Sequence, residues 1–216
     1  MRVLKFAHLD YLKTRRLNYM LLLFPCLAAA MLLASADGSA LFAVGYCLFA
    51  GIILAAFPYN LTSESERGFL QMLPAKPGEA VLGHFLYGLC MVLAAFAVGM
   101  VAVVICHFVQ PSLEILRVDG ADISGLYPAL IGVALLFTGL QSLLMTALRL
   151  ENIHLAQILR IVPAFVFFFG FNKGLDMTET MPGFGIGLGL AALGVCLAVY
   201  GVLALISRVI SVRREE

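Results

Sequence analysis

Charge is what this sequence has least of. Only 12% of its 216 residues are Asp, Glu, Lys or Arg, against 62% hydrophobic, and the mean hydropathy is +1.00. A soluble domain carries about 25% charged and roughly 45–50% apolar residues. There is too little charge here to cover a water-facing surface, so the class is integral membrane protein. The apolar runs lack alternation and outrun the roughly ten residues of a barrel strand, which points to helices. The net charge is +1, and no basic run is interleaved with aromatics, so nothing suggests nucleic acid.

Patterns that carry chemistry are missing as well. The five cysteines, Cys26, Cys47, Cys90, Cys106 and Cys196, all fall in apolar stretches, and no two form a CxxC pair. They read as small buried thiols rather than a disulfide or metal framework. His8, His84, His107 and His154 are isolated, without an HExxH or His-x-x-x-His pair, so no metal site is expected. His84 and His107 fall near the two ends of one apolar stretch and read as interfacial. No Ser-His-Asp, Cys-His or paired-carboxylate set is visible, and no cofactor is expected in this chain. There is no GxxxxGK[ST] loop to cradle nucleotide phosphates. The glycine-rich run GFGIGLGLAALG at 183–194 follows no strand and lies in an apolar stretch. Its Gly183/Gly187 and Gly185/Gly189 spacings suit close helix packing instead. The chain is therefore expected not to be an enzyme.

What the sequence does have is length in its apolar runs. A span needs about 20 apolar residues, and six segments qualify: 17–36, 39–59, 80–109, 126–148, 155–171 and 183–206. The third is long enough to tilt or protrude. The fifth holds Arg160, which must snorkel toward an interface, and Pro163, which predicts a kink. "LAAAMLLASA" mimics a cleavage site, but the apolar segment around it is long enough to span and reads as an uncleaved first helix. None of the six carries a mid-membrane Asp, Glu or Lys, the usual mark of a proton or ion relay, so a stand-alone secondary transporter is disfavoured. On the fourth, Thr138, Gln141 and Ser142 share helical spacing with Met145. Such residues either bond across to a neighbouring helix or line a substrate path.

The basic residues are lopsided. Six spans put both termini on one side, and that side holds Arg2, Lys5, Lys13, Arg15, Arg16, Arg67, Lys76, Arg149, Arg160, Arg208, Arg213 and Arg214; the other holds Arg117 and Lys173. Positive residues stay inside, so both termini and the loop 60–79 are expected to be cytoplasmic. Residues 2–16 are too charged to span. Val3, Leu4, Ala7 and Tyr11 share a face opposite Arg2, Lys5, Lys13 and Arg16, which suggests an amphipathic helix along the inner leaflet. One membrane domain over 1–216 is the economical organisation, with no internal repeat.

One inner loop, SESERGFLQMLPAKPGE at 63–79, is more than a linker. Ser63 and Glu66 form a capping box, and Glu64 and Glu66 suit the positive end of a helix dipole. Phe69, Leu70 and Leu73 form one apolar stripe, and Pro74 disfavours helical geometry at Leu73. The result is a short helix over 63–73, either resting on head groups or docking a cytosolic partner. Pro77 and Glu79 suit the first turn of the next helix.

The stretch ERGFLQMLPAKPGEAVLGHFL resembles the loop after the second span in ABC-2 type transporter permeases, the small six-span group that includes bacteriocin and peptide-antibiotic exporters. Glu66, Leu70, Leu73, Pro74, Glu79, Val81 and Leu86 match that pattern. The opening LKFAHLDYLKTRR is similar to the family's start at Lys5, Asp10, Lys13 and Arg15. The chain departs at Ala75–Gly78, where the family usually has Ser or Thr before a basic residue, and at His84, where Lys is common. The resemblance implies an all-α integral membrane fold of six transmembrane helices, with an N-terminal interfacial helix and a short cytoplasmic coupling helix. It further implies that Glu64, Glu66, Arg67, Phe69, Leu70, Leu73, Pro74 and Lys76 contact a separate ATPase subunit, where ATP and Mg would bind. A second permease chain, export of a peptide or other amphiphile, and residence in the bacterial cytoplasmic membrane are also implied. The alternative is a non-transporting scaffold or sensor that recruits a cytosolic partner through the same loop.

Overall fold

The computed structural model describes residues 2–34, 40–59, 77–110, 117–118, 121–148, 153–178 and 184–213. The described residues are almost entirely helical. Helix α1 (Arg2–Asn18) breaks at Tyr19, and α2 (Met20–Ala34) follows. Then come α3 (Ala40–Ala55), a 3-10 turn (Phe57–Tyr59), α4 (Pro77–Val109), α5 (Leu126–Leu148), α6 (Ile153–Thr178) and α7 (Ile186–Arg213). The expected short helix at 63–73 lies outside the described residues. So do Glu64, Glu66, Arg67, Phe69, Leu70, Leu73, Pro74 and Lys76.

Among the described residues, three helices are long and apolar enough to cross a membrane: Gly78–Val109, Leu126–Leu148 and Ile186–Arg213. At 1.5 Å per residue, the 33 residues of α4 reach about 50 Å, against a hydrocarbon core of about 30 Å. Helix α4 is therefore longer than an untilted crossing requires. Helices α2 and α3 are shorter, at 15 and 16 residues.

The packing differs from that of a soluble protein chiefly in its apolar exterior. Helix α3 is apolar on all sides and is the centre of the core, with Leu41, Val44, Cys47, Leu48 and Ile52 fully buried. Helix α7 buries only Gly189, Tyr200, Ala204 and Ser207. Its outward face is Leu188, Val195, Val202 and Leu205. Meanwhile Asp10, Thr14, Thr138, Gln141, Ser142 and Ser207 are inside. An apolar exterior around a partly polar interior is stable only where the surrounding medium is hydrocarbon.

Aromatic packing joins the other helices to this centre. Phe42, Tyr46 and Phe49 fall at i, i+4 and i+7 on α3 and meet Phe168 of α6, with Phe49 at 5.2 Å and Tyr46 at 6.3 Å between ring centroids. Phe24 of α2 packs on Tyr46 at 5.3 Å. These separations lie in the favourable range for aromatic pairs. Elsewhere α5 packs along α7, and α3 along α4.

Several expectations need correction. The described residues are nearly all helical, as expected, with one local exception: Arg117–Val118 and Ala121–Asp122 form a short antiparallel pair, with Arg117 opposite Asp122 and Val118 opposite Ala121. Helix α6 continues to Thr178, so Lys173 and Asp176 are helical rather than part of a loop. The stretch 17–36 is divided, with Leu17 and Asn18 ending α1. On α1, Leu4 is 64% and Tyr11 46% exposed, whereas Asp10 and Thr14, which no apolar face singled out, are buried.

The glycines at the start of α7 also act differently from a helix-packing motif. Phe184 N–H donates to the Asp122 carbonyl at 2.6 Å, and Gly125 N–H to the Phe184 carbonyl at 2.9 Å. Gly189 lies against the backbone of Gly125, while Gly187 faces open space. The close approach therefore fastens the hairpin connection to α7.

Candidate functional site

The described polar contacts concentrate on the first three turns of α4, the helix that directly follows segment 60–76. Proline is tolerated at a first helical turn because its missing N–H would be unpaired there anyway, and Pro77 opens α4. From that point one side of α4 is read by α1. Arg2 Nη1 lies 3.9 Å from Glu79 Oε2, with Arg2 well exposed. Phe6 and Ala7 rest on Gly83, which has no side chain to hold them off. Asp10 Oδ2 lies 2.5 Å from His84 Nδ1. The Thr14 hydroxyl and the Tyr87 hydroxyl are 2.7 Å apart, and Tyr87 donates to Asn18 Oδ1 at 3.2 Å.

The spacing explains the match. Residues 2, 6, 10, 14 and 18 follow an i, i+4 ladder, which puts them on one face of α1. Residues 79, 83, 84 and 87 share one face of α4 in the same way. Partner numbers rise together along both helices, so α1 and α4 run in the same direction.

The same turns of α4 are gripped from another side by α7. The stem of Arg208 crosses Gly78. Tyr200 donates its hydroxyl to the Phe85 carbonyl at 2.6 Å, and the two rings meet edge to face at 5.3 Å. Interhelical hydrogen bonds in membrane bundles average about 0.6 kcal/mol. Tyr200→Phe, which keeps the ring, should therefore lower stability by about 0.6 kcal/mol without moving α7, as measured by equilibrium unfolding in mixed micelles.

Thr138, Gln141 and Ser142 are all buried on α5. The Thr138 hydroxyl donates to the Ala134 carbonyl of its own helix at 2.9 Å, and its methyl faces Gly88 of α4, beside the Tyr200 hydroxyl. Thr138 thus faces α4 and α7 in the interior of the bundle, and Gln141 and Ser142 are buried on the same helix. Among the described residues no group of three His, Cys, Asp or Glu side chains is placed to hold a metal ion.

Sequence reasoning singled out Asp10 and His84 separately and left Thr14 and Tyr87 unmentioned. A signal for the pairing was present. Asp10 is the sole acid in an otherwise basic helix, and His84 opens a long apolar one.

A family model described as ABC-2 family transporter protein matches residues 8–214. No curated protein and no solved structure matches the chain.

Proposed function

Since the chain belongs to the ABC-2 transporter family, we propose that it is the six-span permease half of an ATP-driven exporter, energised by a separate ATPase that docks on segment 63–76. Family membership makes it the membrane permease component of an ABC transporter, a role that implies association with an ABC ATPase. The remainder is our reading. The six spans are formed by α2 to α7, with both termini and segment 60–76 on the cytoplasmic side, as the twelve-to-two distribution of basic residues supports. Helix α1 lies at the inner interface, its exposed Leu4, Tyr11 and Leu12 toward lipid. Two such chains, identical or related, enclose the path of a peptide or other amphiphile in a bacterial cytoplasmic membrane. Thr138, Gln141 and Ser142 are candidates to meet the substrate when the helices separate.

The observation that carries this reading is the start of α4, which follows segment 60–76 in the sequence and whose first turns are fastened to both α1 and α7. A push on it therefore reaches three helices at once. Energy has to come from outside, because the sequence contains no P-loop. Glu64, Glu66, Arg67, Phe69, Leu70, Leu73, Pro74 and Lys76 are the proposed contacts, with Phe69 and Leu70 as the apolar centre. ATP and Mg bind in the partner.

Hot-spot truncations at the centre of an interface cost about 2–4 kcal/mol, roughly 30- to 1,000-fold in affinity. Where an ABC ATPase is encoded beside this chain, Phe69→Asp with Leu70→Asp should accordingly prevent its co-purification, and ATP-driven transport with it. Retention of both in the double variant would refute the docking site. A neighbouring kinase or regulator in place of an ATPase would favour a recruiting scaffold.

A further inference from the structure

We propose that Asp10 and His84 are positioning residues that lock α1 to the start of α4, so that the two helices move as one body when segment 60–76 is displaced. The proposal rests on the ATP-driven reading above. Its structural half, the lock itself, is tested independently of ATP.

Asp10 is 2% exposed, and its carboxylate meets His84 Nδ1 at 2.5 Å. Burying a carboxylate is costly unless a donor or cation compensates it. If this position served packing alone, an apolar residue of similar volume would do as well or better. What a buried polar pair adds is alignment, because a slide of one helix along the other leaves the acid unmatched. A slide of α1 by one turn would bring Phe6 or Thr14 to the place of Asp10. The lock is also local. Gly83, adjacent to His84, lets Phe6 and Ala7 approach the α4 backbone. Thr14 and Tyr87 repeat the polar match one turn further on.

The position of the pair along α4 gives it leverage. On one side of His84 lies Gly78, under the Arg208 stem; on the other is Phe85, whose carbonyl accepts from Tyr200. Displacement of the α4 start is therefore shared between α1, held by Asp10, and α7, held by Tyr200. Tyr200 in turn lies against Gly88 and Gly139, which connects this end of α4 to α5. Without the Asp10–His84 contact, α4 would tilt against α7 while α1 stayed behind.

The test uses the full chain assembled with its ATPase in lipid nanodiscs. Spin labels are placed at Leu12→Cys, exposed on α1, and at Cys90, exposed on α4, with the other cysteines replaced. Label separation is measured with and without MgATP and vanadate. In the parent protein we expect one narrow distance that trapping shifts by less than about 2 Å, the scale of an ordinary interface adjustment. His84→Ala should broaden it and make it depend on nucleotide. His84→Lys, which restores an N–H donor opposite Asp10, and the exchange Asp10→His with His84→Asp should recover the narrow, nucleotide-independent distance. Three results would overturn the proposal: a parent distance that changes on trapping by about 5 Å, one helical turn; a His84→Ala distribution identical to the parent; or one equally broad with and without nucleotide. Failure of the parent complex to trap nucleotide would count against the ATP-driven reading alone, and the nucleotide-free comparison of His84→Ala with the parent would still decide the lock.

Discussion

Gly83→Leu is expected to release α1 from α4. A side chain at residue 83 would overlap Phe6 and press on the backbone at Ala7 N and Val3 O, each 3.2 Å from where its Cβ would sit. Phe6 can rotate, but the α1 backbone can yield only by moving the helix. Overpacking typically costs about 1–3 kcal/mol. Here the displacement also separates Asp10 from His84, and an uncompensated buried charge costs about 3–5 kcal/mol. The two contributions share one contact surface and do not add in full. A net loss of about 4 kcal/mol corresponds to a fall of roughly 8–16 °C in Tm for a chain of this size. Because the damage is local, trypsin should cleave after Lys13, Arg15 and Arg16 well before the rest of the chain unfolds. Gly83→Ala should show the same pattern more weakly, and Phe6→Ala in that background should reverse part of it. Undiminished resistance of α1 to trypsin in Gly83→Leu would contradict the packing described.

Gly189→Val should be comparably damaging at the opposite end of the bundle, and it comes with an internal control. A Cβ on Gly189 would run into the Gly125 backbone, where no rotamer change gives relief. Gly125 is itself held by its N–H donation to the Phe184 carbonyl, and Phe184 by Asp122. The substitution must therefore lift the hairpin connection off α7 or shift α7 against α5. We expect a loss of about 3 kcal/mol, the upper end of ordinary overpacking. Gly187→Val, two residues away, meets nothing within 4 Å and should change stability by no more than about 0.5 kcal/mol. Thermal unfolding of the two purified variants side by side makes the comparison. Equal effects would mean that the Gly125–Gly189 approach does not matter.

Hydropathy located the helices well where they end in punctuation and poorly where they end in water. Helix α5 coincides with the apolar stretch 126–148, and α4 begins at Pro77, three residues before its apolar run. By contrast α6 continues through Lys173 and Asp176, and α7 through Arg208 to Arg213. Apolarity reports how deep a residue lies in lipid, whereas a helix continues as long as its backbone bonds and caps allow. The inward-packing face of α1 was not legible for a related reason. A helical wheel sorts residues by apolarity, and in this chain the inside holds Asp10 and Thr14 while Leu4 and Tyr11 face out. The Asp10–His84 pairing joins residues 74 positions apart, and no periodicity within either helix reveals it. Nor does any spacing rule anticipate that Gly189 meets a loop glycine at 125 rather than a neighbouring helix.

The central claim is that this permease draws its energy from an ATPase on segment 63–76. The most direct measurement is uptake of a fluorescent amphiphilic peptide into inside-out proteoliposomes, containing either the chain alone or the chain with a candidate ABC ATPase encoded beside it. The account predicts transport only with both proteins and MgATP, abolished by Phe69→Asp with Leu70→Asp and indifferent to an imposed proton or sodium gradient. Flux driven by an ion gradient in liposomes holding this chain alone would contradict it.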